Sequence, residues 1–256
     1  MPWKKGDAMN KLKITIVTIG HMPPNLNRQK IENWESSIFE LTGGIESYTL
    51  PIDSDGNNWE FSDEALKNVL PNHHDGDFLI AIVNVPIQEN YFARVPEDNK
   101  VVFTFYETKE ILGLHNIPLE NVIYLMIYTC ALIYLSVKAQ GKEISLIRDW
   151  SRFFHDETRG CPFDMNGIKS EIIYACDSPT ICSDCLTKFR NGKVSIELID
   201  TINQELRKIK KPLFYRASDF VKNHPIASLI ITTLTALILG VSGSIIGSYI
   251  FEWLRA

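Results

Sequence analysis

Strand-like and helix-like patterns alternate along most of the chain. The β-branched run Leu12–Ile19 (LKITIVTI) predicts a strand that stops at Gly20 and the Pro23-Pro24 breaker. Asn27–Leu41 carries Ile31, Trp34, Ile38 and Leu41 at helical spacing and ends at Gly43-Gly44, which predicts a helix. Ile45–Ile52 reads as a second strand, and Ser62 and Asp63 can cap a short helix over 63–70. Asp77–Val83 is a near-continuous apolar run, the pattern of a central strand covered on both faces. Val101–Tyr106 predicts another strand, and Pro118–Ala139 a long apolar helix. Val194–Lys210 places Ile196, Ile199, Ile202, Leu206 and Ile209 on one face of an amphipathic helix. Residues 1–11 read as a disordered lead, and 151–185 as an irregular segment rich in Cys, Asp, Gly and Pro. The alternation implies an α/β domain over 12–211, a mixed sheet covered by helices.

Two long uncharged runs change that picture. Pro225–Phe251 has 27 residues without a charge. As a helix it reaches roughly 40 Å, against ~30 Å of bilayer hydrocarbon, so 225–252 is expected to be a transmembrane helix. Tyr249, Phe251 and Trp253 sit where an interfacial aromatic belt lies, and Arg255 closes the far end. The second run, Asn121–Val137, has 17 uncharged residues between Glu120 and Lys138, the lower limit for spanning. Its place among alternating strands and helices favours a core helix, with a second span as the alternative. Within the C-terminal run Gly240, Gly243, Ser244 and Gly247 supply small residues at helical spacing, a pattern that suits a homo-oligomer of packed spans.

Charge follows the same division. The chain has 256 residues, 45% hydrophobic and 22% charged, which excludes a largely disordered protein. The net charge of −5 gives no reason to expect a nucleic-acid polymer as partner. Residues 1–205 hold 19 Lys and Arg against 29 Asp and Glu, whereas 206–256 hold 7 against 2. Residues 212–224 therefore read as a basic juxtamembrane linker. No secretory signal precedes the first strand, so the expectation is a single-pass protein of the cell (inner) membrane with its N-terminal domain in the cytoplasm.

In a cytosolic domain, five cysteines are not expected to pair as disulfides. His155, Cys161, Cys182 and Cys185 give H-x5-C-x20-C-x2-C, and soft thiolates with an imidazole favour a tetrahedral structural zinc. Cys176 offers an alternative to His155 or Cys161, and a redox dithiol at Cys182 and Cys185 is a second reading. Cys130, on the apolar helix, is expected to pack. The loop VPIQENYFARVPEDN (85–99) presents Asn90, Tyr91 and Arg94, which can hold an anionic or nucleotide ligand or form an ordinary surface.

The order of strands, long apolar helix and Cys-rich loop ending in Cys-x2-Cys resembles the archaemetzincin-type zincin metallopeptidases. Their tail carries an Asn/Ser-rich stretch, a Lys and a final Cys-x2-Cys. Here that stretch is CPFDMNGIKSEIIYACDSPTICSDC, with Lys169 and Ile181-Cys182. The resemblance implies a zincin-like scaffold with Val101–Tyr106 as the edge strand that aligns substrate and helix 118–139 in the place of the catalytic helix. Such enzymes hold a catalytic zinc on H-E-x-x-H-x-x-G-x-x-H and a structural zinc on cysteines. Helix 118–139 has no His, and none of His21, His73, His74, His115 and His224 forms an i, i+4 pair. In family terms His155 also replaces one zinc-binding Cys.

The implied protein is a scaffold that has lost its peptidase centre and kept its structural metal. The leading expectation is therefore a membrane-anchored, non-catalytic sensor or effector that meets a cytosolic ligand or protein partner, on the plan used in bacterial defence and stress systems. The alternatives are a membrane-tethered zinc-dependent hydrolase and a localising adaptor.

Overall fold

The computed structural model describes residues 10–156 and 158–255, with the backbone alone at Ile147, Tyr249 and Glu252. The expected disordered lead lies outside the described residues, apart from Asn10 and Lys11. The chain divides into two units, one ending at Lys210 and the other spanning Lys211–Ala256.

In the first unit six strands are described: β1 (Leu12–Ile19), β2 (Phe39–Leu41), β3 (Glu46–Tyr48), β4 (Phe78–Val83), β5 (Ala93–Glu97) and β6 (Lys100–Thr104). They form one sheet in the order β2-β1-β4-β6-β5, with β3 beside the second half of β1. Every pairing is parallel except β5 with β6. The helices are α1 (Arg28–Glu32), α2 (Asp63–Val69), α3 (Thr108–Leu114), α4 (Leu119–Ala139), α5 (Leu146–Phe153), α6 (Ile172–Ala175), α7 (Ser183–Asn191) and α8 (Ile196–Leu206).

The apolar run at 77–83 is explained by two cores. Phe78, Ile80 and Ile82 of β4 belong to the core that contains α4, while Leu79, Ala81 and Val83 belong to a smaller one with Leu66 of α2 and Ile87. Neither face of β4 meets water, and each large side chain buried there contributes about 1.5–3 kcal/mol. The Ser62 cap forms as its sequence predicts, accepting a hydrogen bond from the Ala65 amide at 3.1 Å. Gly76 lets the chain enter β4 against β1. A Cβ at that position meets Lys13 O and Thr15 N at 2.8 Å and Phe78 O at 2.9 Å, all backbone. Gly76→Ala is expected to destabilise the domain by about 1–3 kcal/mol, because the sheet must shift to admit the methyl group. Urea unfolding curves check this; an unchanged midpoint contradicts it.

The core reading of Asn121–Val137 agrees with the structure. Leu119 through Val137 of α4 are buried without interruption. The sheet covers one side, and α1, α3, α5 and α8 also touch the helix. Several of its polar groups find partners inside the domain: the Asn121 amide donates to Cys176 O, and Tyr134 OH to Asp77, while the buried Ser136 hydroxyl has none among the described residues. Cys130 packs here, fully buried.

Four expectations are corrected. The helix predicted over Asn27–Leu41 is limited to α1, after which the chain turns into β2. The helix closes at its C-cap Asn33, and beyond it two serines hold the chain in a non-helical path: Ser36 Oγ accepts from the Ile38 amide, and both serines donate to the Glu205 carboxylate of α8. Val101–Tyr106 does not form an edge, since β6 lies between β4 and β5. The edge is β5, inside the segment read as a loop. The irregular segment 151–185 contains the end of α5, α6 and the start of α7.

The second unit consists of α9 (Leu213–Asn223) and α10 (Pro225–Arg255). α10 is long and apolar enough to cross a membrane, and its apolar window has no residue covered by protein. Phe251 and Trp253 are exposed near its end; the Tyr249 side chain lies outside what is described.

Candidate metal centre

Three short segments converge on the cysteine cluster. His155 follows α5 and exchanges backbone hydrogen bonds with the returning chain: its amide donates to Phe163 O at 3.0 Å and its carbonyl accepts from Met165 N at 2.8 Å. On the returning side, Gly160 takes φ +86° and the Cys161 amide closes a turn on Thr158 O. Cys161 is thereby carried back beside His155. Thr180 N donates to Gly160 O at 2.9 Å and ties the second loop to the first.

Cys182 then serves as the N-cap of α7, its Sγ accepting from the Cys185 amide at 3.4 Å. A Cys-x2-Cys at a helix N-terminus directs both sulfurs to the same side of the first turn, where the helix dipole favours negative charge. Phe153, Phe163 and Phe189 pack ring on ring at 5.3–6.0 Å. This aromatic packing holds α5, the turn and α7 together.

The four ligand atoms of His155, Cys161, Cys182 and Cys185 lie within 4.8 Å of one another. Cys161 and Cys185 sulfurs are 3.9 Å apart, and Cys182 Sγ is 3.4 Å from His155 Nε2. A tetrahedral ion with bonds of about 2.3 Å to sulfur requires neighbouring sulfurs at about 3.8 Å, so the spacing fits one ion. Cys161 and Cys185 are buried while His155 and Cys182 are partly exposed, which places the cluster at the rim of the core.

Electrostatics point the same way. The adjacent Cys185 thiol, followed by backbone groups of Cys182 and Phe163, holds the Cys161 thiol down at about 5 against the opposing effect of burial. Sharing with Cys161, then burial, drives the Cys185 thiol up. One thiolate forms readily, and the second resists ionisation beside it until a cation offsets the charge. Such a site can bind a metal ion.

Cys176 takes no part. It is fully buried, and burial pushes its thiol up. The cluster thus uses the four residues first singled out.

The loop candidates separate. Tyr91 and Arg94 line a cavity of about 360 Å³ with Phe92, Trp150, Phe154 and Met165. Phe154 precedes His155 and Met165 N bonds to it, so this cavity adjoins the metal loop. Arg94 is already paired there: Nε meets Asp63 Oδ1 at 2.9 Å and Nη2 meets Oδ2 at 2.5 Å, and the Asp63 bond raises its pKa. Asn90 lies apart, donating to Glu107 and accepting from Lys169. Trp150 and Met165 were not legible as lining residues, because only the tertiary fold brings α5 and the turn to β5.

Fold and site together define an α/β domain with a Cys₃His donor set, followed in the chain by a long apolar helix. Compared with known proteins, the chain matches no family model, no curated protein and no solved structure.

Proposed function

We propose that this chain is a membrane-anchored, non-catalytic zincin-like sensor or effector whose cytoplasmic domain is held together by one structural zinc. The observation that carries the reading is the closed donor set. Four protein ligands fill a tetrahedral ion and leave no position for water or substrate, which is the arrangement of structural rather than catalytic zinc. Three sulfurs and one imidazole favour zinc over magnesium or calcium, which prefer oxygen. The absence of His from α4 argues against a peptidase centre on that helix.

The anchor reading rests on α10, and its orientation on the basic residues that precede it, from Arg207 to Lys222. Reduced thiols also fit a cytoplasmic location. Signalling through the anchor involves self-association along Gly240, Gly243, Ser244 and Gly247, none of whose glycines has a close neighbour in the single chain. The cavity at Tyr91 and Arg94 is the proposed place for a ligand. Since Asp63 balances Arg94, an apolar or aromatic ligand suits it better than a simple anion.

Elemental analysis of the full chain purified in detergent is expected to find one zinc per chain. Two zinc ions, or zinc-dependent peptide hydrolysis, favours the membrane-tethered hydrolase instead. A chain without zinc removes the structural-metal reading.

A further inference from the structure

The helix α9 is not explained by the fold. It has eleven residues, no side-chain N-cap bond at Pro212, and no buried residue. Isolated helices shorter than about 12–15 residues are marginal in water, so α9 needs something to cover it. Its sequence says which side. At 100° per residue Phe220, Leu213, Ala217, Val221 and Phe214 fall in one arc of about 120°, with no polar residue between them. Leu213 and Phe214 are 77% and 76% exposed, and Val221 52%. Tyr215, Arg216, Ser218, Asp219, Lys222 and Asn223 occupy the remaining surface, and Lys211 braces the helix through Asp219 at 2.9 Å.

We propose that α9 lies in the plane of the membrane surface, with Leu213, Phe214, Phe220 and Val221 among the acyl chains and its basic flank on anionic lipid headgroups. The inference rests on reading α10 as the anchor. Two features select the bilayer as the occupant. From Arg207 to Lys222 the chain carries six basic residues and one acidic residue, complementary to anionic lipid. α9 also ends one residue, His224, before a helix suited to the hydrocarbon, so the interface is within immediate reach of its apolar stripe. Arg216 borders the stripe, where a long cationic side chain reaches back to headgroups while its stem stays in the apolar layer.

α9 thus does more than connect. A helix bound flat in the interface fixes the direction in which the chain leaves the membrane, and makes that direction depend on lipid charge.

The test uses the full chain reconstituted in vesicles of phosphatidylcholine with or without phosphatidylglycerol, read by amide hydrogen exchange. Amides of 213–223 are expected to exchange about tenfold more slowly in the anionic vesicles than in the neutral ones. The Phe214→Ser/Phe220→Ser double variant should lose that protection while 225–255 stay protected. Rapid exchange of 213–223 in both vesicles, with 225–255 protected, overturns the proposal and leaves the anchor reading standing. Rapid exchange throughout 225–255 overturns both. Protection that grows with protein density and ignores phosphatidylglycerol identifies a second copy of the chain as the cover, and also overturns it.

Discussion

Cys185→Ser is expected to strip the domain of its metal and unfold much of it. The serine hydroxyl is a poor ligand for a soft-site ion, and the remaining three donors leave the ion open to water. Structural zinc in small domains contributes about 10–16 kcal/mol of apparent binding energy at neutral pH. An ordinary domain has a net stability of about 5–15 kcal/mol, so loss of the ion is comparable to the whole margin. The segment most exposed to this loss is 154–185, where short turns rather than long helices hold the chain. Cys176→Ser supplies the control, since Cys176 is equally buried but stands outside the cluster. It should retain zinc and lose only packing energy. Zinc content and thermal unfolding of the full chain, with and without chelator, measure both effects. Undiminished zinc and an unchanged melting temperature in Cys185→Ser would falsify the assignment.

The second large effect is expected at Glu205, which takes no part in the cysteine cluster. Its carboxylate is 5% exposed and accepts from Ser36 Oγ at 2.6 Å, Ser37 N at 2.8 Å, Ser37 Oγ at 2.5 Å and Tyr128 OH at 2.5 Å. Trp34 completes the group, donating to Tyr128 OH while stacking on Tyr124 at 4.0 Å. Glu205→Ala leaves these donors without an acceptor, and each unsatisfied buried group costs about 1–3 kcal/mol. A destabilisation of about 3–5 kcal/mol is expected, with Glu205→Gln at a smaller value because one carbonyl oxygen survives.

Acid tests the same network. Burial alone raises the Glu205 carboxyl, but the hydrogen bonds from Ser36, Ser37 and Tyr128 together outweigh it and hold the group below its ordinary value. A carboxyl depressed in the folded state stabilises fully above its unfolded pKa, near 4.3, and loses that contribution as pH falls through the lower folded value. The gap in stability between wild type and Glu205→Gln should therefore narrow with acid. Denaturant titrations from neutral pH downward measure it, and a gap that is constant or widens contradicts the network's role.

Local signals were legible wherever the cause is local. Ser62 caps α2 because a hydroxyl three residues ahead of Ala65 can reach its amide. The run at 77–83 declares a strand covered on both sides, and α4 reads as a core helix from its place among the strands. The cluster was legible from ligand chemistry and the Cys-x2-Cys spacing. What escaped depends on distant partners. Nothing near Ser36 announces that Glu205, 169 residues later, will hold the chain out of helix. Nothing in Val101–Tyr106 says that β5 will cross outside it, because strand order is decided by turns rather than by strand composition. At α9 the charges obscured a stripe that only the helical period reveals.

If α10 anchors the chain as proposed, the margins of the sheet bear on how many copies can share one patch of membrane. One margin is β2 and β3, two three-residue pieces divided by Gly43 and Gly44. The other is β5, where Pro96 lacks a donor, the register slips between Arg94 and Glu97, and both of those side chains are charged. Neither margin offers a long run of open hydrogen-bonding groups. Chains confined to two dimensions meet far more often than chains in solution, and an open strand there invites ribbon-like polymerisation. Blunted at both margins, this sheet resists edge-to-edge pairing, so that under the proposed anchored arrangement any clustering would fall to α10.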